Sequence, residues 1–325
     1  MAINKQSQLN NQIFPAKQGV TTQAKIGFIG FGEVTYHFVK GFYQDRIDGI
    51  QIYSRSLSEP EKTEYHQKRA ETIGAKLKFS LKELISSSDI IISSVRGDVS
   101  LEVATQAAQF LKPGQIFADL NNAIPSVKIK SSKIINEKGA KFVDIALLEL
   151  PIQVMHKSLM YVSGDGAKDF MRMLDQFNLN IKYISDQPGK AAMIKALVNV
   201  FMKGLQGVYL EFAVSALKAG IDLDLLEPLL ITPVQNLPRE KDMALWIIRG
   251  ALLAERKTNE MKEVMEMMHD LDVNPIMLKA TVERLNWVKQ FKLNRYFDAT
   301  LPVTKYQKII EKIMQISEDE NIAVQ

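Results

Sequence analysis

The chain has 325 residues, of which 46% are apolar and 24% charged. At about 150 residues per domain this is enough chain for two domains and a large core, which excludes collagen-like, disordered and disulfide-scaffold classes. Lys+Arg 41 against Asp+Glu 37 leaves a net charge of +4 and a pI near 8.9, and no basic run is long enough to read as a nucleic-acid tract.

Residues 1–24 are rich in Gln, Asn and Thr and are expected to form a flexible leader. They lack an apolar h-region, and no apolar run reaches the ~20 residues of a membrane span, so a cytoplasmic, soluble protein without a membrane partner is expected. Lys25–Ile29 reads as a buried strand, Gly30-Phe31-Gly32 as a turn, and the next stretch as a helix to about Phe42. Gly49–Tyr53 is a second strand, and Pro60 opens a helix to about Ile73. Asp89–Val95 is a strand, Ser100–Leu111 a helix, Pro113-Gly114 a turn, Gln115–Leu120 a strand and Pro125–Glu137 a helix. Further strands are expected at Lys141–Ile145, Leu159–Val162 and Asn180–Ile184.

Strands alternating with helices imply an α/β, Rossmann-like, doubly wound parallel sheet over 25–187. After Pro188-Gly189 the pattern turns helical, with one long helix from Lys190 to Ala219 closed by Gly220. Residues 188–325 therefore read as an all-α domain, and chemistry is expected where the sheet domain meets it.

In Gly30-Phe31-Gly32-Glu33-Val34 the first glycine permits a tight turn and the second a close approach of backbone to a pyrophosphate, which meets the free N–H groups of the helix start. Thr35 replaces a third glycine. An NAD site usually carries an acid at the end of the second strand; here the chain reads Ser54-Arg55-Ser56. Arg55 can pair with a 2′-phosphate between two hydroxyls, so NADP(H) is expected in preference to NAD(H).

Cys-based chemistry is excluded because the chain has no cysteine, and its four histidines form no ligand pair, so no metal site is expected. On the long helix Lys195 and Asn199 are four apart and share a face. A lysine beside a cofactor can relay a proton to a reacting oxygen that the asparagine also holds. Lys195, Asn199, Lys203 and Gln206 equally make the polar stripe of an amphipathic helix.

The opening Gly-Phe-Ile-Gly-Phe-Gly-Glu-Val, Ser54-Arg55-Ser56 and Lys195-x-x-x-Asn199 resemble the β-hydroxyacid dehydrogenase family, which includes 3-hydroxyisobutyrate and 6-phosphogluconate dehydrogenases. Gly204-Leu205, Glu211, Arg256, Glu260-Met261 and Glu283-Arg284-Leu285-x-Trp287 resemble a branch with a phosphogluconate-dehydrogenase-like C-terminal domain of unknown function. The likeness spans about 25 to 291. It implies that Lys195 is the catalytic proton relay and Asn199 the residue that orients substrate. It implies that Asn121 and Asn122 stand between substrate and nicotinamide, that Val95 and Arg96 pass the nicotinamide ribose, and that the helical domain pairs in a homodimer.

Relatives carry a Gly-containing loop that grips the substrate carboxylate after the strand ending near Asp144. This chain has Ile145-Ala146-Leu147-Leu148-Glu149-Leu150-Pro151 there. A carboxylate repels an anion, so Glu149 is expected either to bind a hydroxylated or cationic substrate group or to be solvated. His156, near this loop, is expected to be a surface residue or else to touch substrate; His37 reads as structural, and Met261, Met265 and Met268 as a packing stripe.

Together these readings describe an NADP-dependent dehydrogenase or reductase of the CH–OH type with a small polar substrate. The alternatives are an imine reductase of the same architecture, and a non-catalytic NADP-binding protein.

Overall fold

A computed structural model describes residues 24–149, 151–222, 224–226, 239–297 and 306–319. The expected leader lies outside them except for Ala24. The chain divides into two compact units, Met1–Asn199 and Val200–Gln325. The division falls within the long helix, later in the chain than the expected boundary between residues 187 and 188.

The first unit begins with β1 (Ile26–Ile29), α1 (Glu33–Gln44), β2 (Gln51–Tyr53), α2 (Pro60–Glu71), β3 (Lys76–Lys78) and α3 (Leu81–Ser86). It continues with β4 (Ile90–Ser93), α4 (Ser100–Ala108), β5 (Ile116–Asp119), α5 (Pro125–Asn136) and β6 (Lys141–Leu147). A one-turn α6 (Pro151–Val154), β7 (Met160–Ser163), α7 (Ala167–Leu174), β8 (Ile181–Ser185) and α8 (Lys190–Lys218) follow. The sheet order is β3-β2-β1-β4-β5-β6-β7-β8.

Both faces of the sheet are buried. Ile90 and Ile92 pack on one side with Phe38 and Phe42 of α1, while Ile91 packs on the other with Leu84, Ala104 and Ile135. Near-continuous apolar strands are what a sheet covered on both sides requires, and α2 and α5 start at prolines whose missing N–H costs nothing in a first turn.

Three expectations need correction. β3 and α3 went unread. β3 has one apolar residue, Leu77, and exists because β2 offers it a ladder, with Lys76 N donating to Ile50 O at 2.9 Å. A cap signal did mark α3: Ser80 accepts from Glu83 N at 3.1 Å, a Ser-x-x-Glu start.

Secondly, the sheet is only mostly parallel. β7 pairs antiparallel to β6, because the chain turns back through α6 without a helix long enough to cross the sheet. Thirdly, His156 is buried. A short turn at Met155–Lys157 drives its ring against Phe42, with Nε2 2.9 Å from Asp45 Oδ2. A side chain at Gly41 would lie 2.2 Å from that ring's Nδ1.

α8 ends as expected at a glycine in left-handed backbone: Gly220 has φ +68°, and Ile221 N donates to Ala216 O at 2.9 Å. In the second unit, α9 (Arg239–Leu252), α10 (Ala254–Asp270), α11 (Ile276–Gln290) and α12 (Gln307–Asp319) follow. Its core joins Ile248, Phe291, Leu293, Ile309, Ile313 and Ile316. Glu211 accepts from Met277 N and Leu278 N at 2.7 and 3.0 Å, placing a carboxylate at the positive end of α11. Met268 is buried while Met261 and Met265 are half-buried, which places that row within the packing of α10.

Candidate active site

β1, β4 and β5 run parallel, so their C-terminal ends share one edge of the sheet. The chain leaves β1 toward β2 on one side and returns to β4 on the other. That reversal opens a crevice at the switch point, where open α/β sheets bind ligands.

The Gly30–Gly32 turn lies at this edge. Gly30 has φ +100°, and a Cβ there would sit 2.2 Å from Ser94 O. Its N–H donates to Tyr53 O at 2.8 Å, which ties the turn to β2. Gly32 is the N-cap of α1 with no side-chain cap, and nothing lies within 4 Å of where its Cβ would be. The start of α1, with the amides of Glu33 and Val34 in its first turn, is thus uncapped by any side chain and has open space beside Gly32. These are the features a pyrophosphate needs, so the residues present fit a dinucleotide.

Glu33 would oppose an anion, but Arg69 neutralises it. Arg69 Nη2 donates to Glu33 Oε1 at 2.5 Å and Nη1 to Phe31 O at 3.2 Å, and the guanidinium lies over the Tyr36 ring at 4.4 Å. Sequence reading missed Arg69. It is one of several cations on a polar helix, and only the fold brings it beside the turn.

At the end of β2, Arg55 is exposed and makes no ion pair among the described residues. Ser54 and Ser56 are half-buried and hydrogen-bonded to each other at 2.8 Å, and Ser56 is bonded in turn to His66. Phe31 is buried and stacks on His66, with ring centroids 5.4 Å apart.

Asn121 and Asn122 separate in role. Asn121 is buried. Its Oδ1 accepts from Val95 N at 2.5 Å and its Nδ2 donates to Ser93 Oγ at 3.0 Å, so it braces the ends of β4 and β5. Asn122 is the exposed member of the pair, and its carbonyl would lie 2.1 Å from a Cβ on Gly97. Arg96 is exposed and forks onto Asp98. Glu149 is exposed and accepts from Leu159 N at 2.9 Å, closing the loop between β6 and β7.

Beneath this edge lies a buried charge cluster. Asp119 and Asp144 stand opposite each other in β5 and β6 and are 0% exposed, and Lys128 of α5 is 1% exposed. Lys128 Nζ donates to Asp119 O at 2.7 Å and lies 2.9 Å from Asp119 Oδ1 and 3.5 Å from Asp144 Oδ1. Asp144 Oδ2 accepts from Ala192 N at 2.9 Å, and Ser163 Oγ from Ala191 N at 3.0 Å. Two strands thereby anchor the first turn of α8.

Lys195 follows one turn on and is half-buried. Burial and then the charge of Lys128 push its amine below the usual lysine range, while Asp144 opposes them. Asn199, the next residue on that face, is half-buried. Two aspartates inside otherwise apolar strands signalled the need for a cation, but only the fold shows that Lys128 supplies it.

Among the described residues no cluster of His, Cys, Asp and Glu is placed to hold a metal, and no helix is long and apolar enough to cross a membrane.

Turn, switch point and sheet order define a Rossmann-like nucleotide-binding domain. Residues 25–165 match the NAD binding domain of 6-phosphogluconate dehydrogenase. An uncharacterised 28.5 kDa protein from the 7S RNA 5′ region of Methanothermus fervidus is 30% identical over 267 residues, 82% of this chain and 99% of that protein. A conserved protein of unknown function, described as structurally similar to 3-hydroxyacid dehydrogenases, is 30% identical. The match covers 82% of this chain and 97% of that one, with a TM-score of 0.52. An imine reductase from Aspergillus terreus shares the fold with a TM-score of 0.67 at 16% identity, over 83% of this chain and 94% of that one. The chain belongs to the same family as these two 30% identical proteins, and with its 6-phosphogluconate dehydrogenase-type nucleotide-binding domain it falls among the oxidoreductases.

Proposed function

We propose that the protein moves a hydride between NADP(H) and a hydroxyl or carbonyl carbon of a small polar substrate, with Lys195 as general acid in reduction and general base in oxidation. The observation that carries this reading is Lys195 itself. It is a half-buried amine with a lowered pKa, one turn beyond the anchored start of α8. A bound dinucleotide supplies or accepts the hydride. Lys195 gives a proton to the substrate oxygen as charge builds there, and takes it back in the reverse direction. Asn199 and Asn122 orient that oxygen. Arg55, with Ser54 and Ser56, favours the 2′-phosphorylated cofactor. Glu149 meets a hydroxylated or cationic substrate group, and Glu149→Ala should change substrate preference.

The decisive experiment is a substrate panel of hydroxy, keto and aldehyde acids, with cyclic imines as the competing class, run on the wild type and on Lys195→Met. The variant should lose about 10²–10⁴-fold in kcat/KM on the carbonyl class and keep its NADPH binding by fluorescence titration. Turnover of imines alone, or an unaltered Lys195→Met, would remove the assignment. The sign of the pH dependence follows from the lowered amine. Reduction needs the ammonium, so kcat/KM for reduction falls at a lower pH than an ordinary lysine allows, and the oxidation rate rises through the same point.

The homodimer rests on exposed apolar residues of α8, including Leu197, Val200, Phe201 and Met202. Sedimentation at micromolar concentration should show a dimer, and a monomer there refutes it.

A further inference from the structure

The serines flanking Arg55 belong to a longer row. Ser54 Oγ is 2.8 Å from Ser56 Oγ, and Ser56 Oγ is 2.8 Å from His66 Nε2. His66 is 7% exposed, and its buried Nδ1 has no hydrogen-bond partner. The missing partner chooses between the two neutral tautomers. A proton on Nδ1 would orphan a buried N–H donor and make Nε2 accept from Ser56, drawing that hydroxyl inward. A proton on Nε2 leaves only a lone pair unpaired, the rarer defect being the orphaned donor.

In the second arrangement His66 donates to Ser56, Ser56 donates to Ser54, and the Ser54 hydrogen is the last in the row, free to leave it beside Arg55. The ring stays neutral because burial, Arg69 and Lys62 hold its pKa below the usual histidine value against the pull of Glu59.

We propose that His66 is a positioning residue that, through Ser56, aligns the Ser54 hydroxyl as a hydrogen-bond donor to a phosphate monoester on the ribose of the bound dinucleotide. This rests on the NADP(H) reading of Arg55 above. A phosphate dianion has no hydrogen to give and accepts only, whereas a ribose hydroxyl can do either. A row whose hydrogens all run outward therefore rewards the phosphate specifically, while Arg55 supplies charge without fixing direction.

The test is calorimetric titration of the full-length protein with 2′,5′-ADP and with 5′-AMP, which lacks the second phosphate. His66→Phe keeps an aromatic ring against Phe31 and removes the donor. His66→Gln restores an N–H at about the reach of Nε2. The wild type should prefer 2′,5′-ADP. His66→Phe should weaken that ligand about tenfold and leave 5′-AMP unchanged, and His66→Gln should recover most of the loss.

An equal loss for both ligands would make the ring a mere support and overturn the proposal. A preserved preference in His66→Phe would overturn it while leaving the Arg55 reading intact. A wild type without preference would remove both. Nitrogen-15 NMR of the wild type reads the tautomer without ligand or variant: a proton on Nε2 is expected, and one on Nδ1 would end the relay even if His66→Phe failed to fold.

Discussion

Around Gly30–Gly32 the groups offered to an anion are backbone amides and, beyond β2, hydroxyls. Around the start of α8 stand charges instead: two buried carboxylates, the buried Lys128 amine and the half-buried Lys195 amine. The first region works by leaving space: a helix end is uncapped and glycine keeps the backbone approachable. The second works by filling space, since Lys128 is enclosed and its charge is felt by Lys195 through a low-dielectric interior. A backbone site tolerates change in its surroundings as long as the turn survives. A charge cluster does not, because every member is desolvated on account of the others.

The contrast is sharpest in stability. Lys128→Met strands Asp119 and Asp144 without a cation and should cost about 3–5 kcal/mol, read as a drop in denaturant midpoint at constant m-value. Adding Asp119→Asn should restore part of that loss. A variant as stable as the wild type would mean that the cluster is solvated and the contrast unfounded.

At the turn, Gly30→Ala forces a left-handed φ on an L-residue and sets a methyl against Ser94 O, for about 1–3 kcal/mol of strain. It should weaken NADPH and NADH alike, because the pyrophosphate is common to both. The smallest effect belongs to Arg55→Ala. Arg55 is exposed and pairs with nothing among the described residues, so melting temperature should not move, and NADPH alone should weaken by about tenfold. Equal weakening of NADH would make Arg55 a general cation instead of the selector.

Much of this was legible in the amino acids. Gly30 and Gly32 between an apolar strand and a helix announced the turn, and at Gly30 only glycine accepts the backbone and the close approach to Ser94 O. Pro60, Pro125 and Gly220 marked helix ends for equally local reasons. Lys195 and Asn199 were legible as a shared face of one helix, and as nothing more until the family resemblance was added. β3 was not legible, since Lys76-Leu77-Lys78 has no strand pattern of its own and borrows its order from β2. The reversal of β7 was missed because α/β alternation does not distinguish a crossover from a return.

The glycine turn, the apolar strands and the polar end of β2 were determined by the sequence itself, since each expresses local backbone sterics and hydrophobic periodicity. Tertiary structure decided which polar residues became special. Lys128, His66 and Arg69 resemble any other polar residue on α5 or α2. Each gained its role by being carried against a partner beyond its own helix: Asp144, Ser56 and Glu33. Charge and hydrogen-bond energies depend on desolvation and separation, and both are properties of the fold.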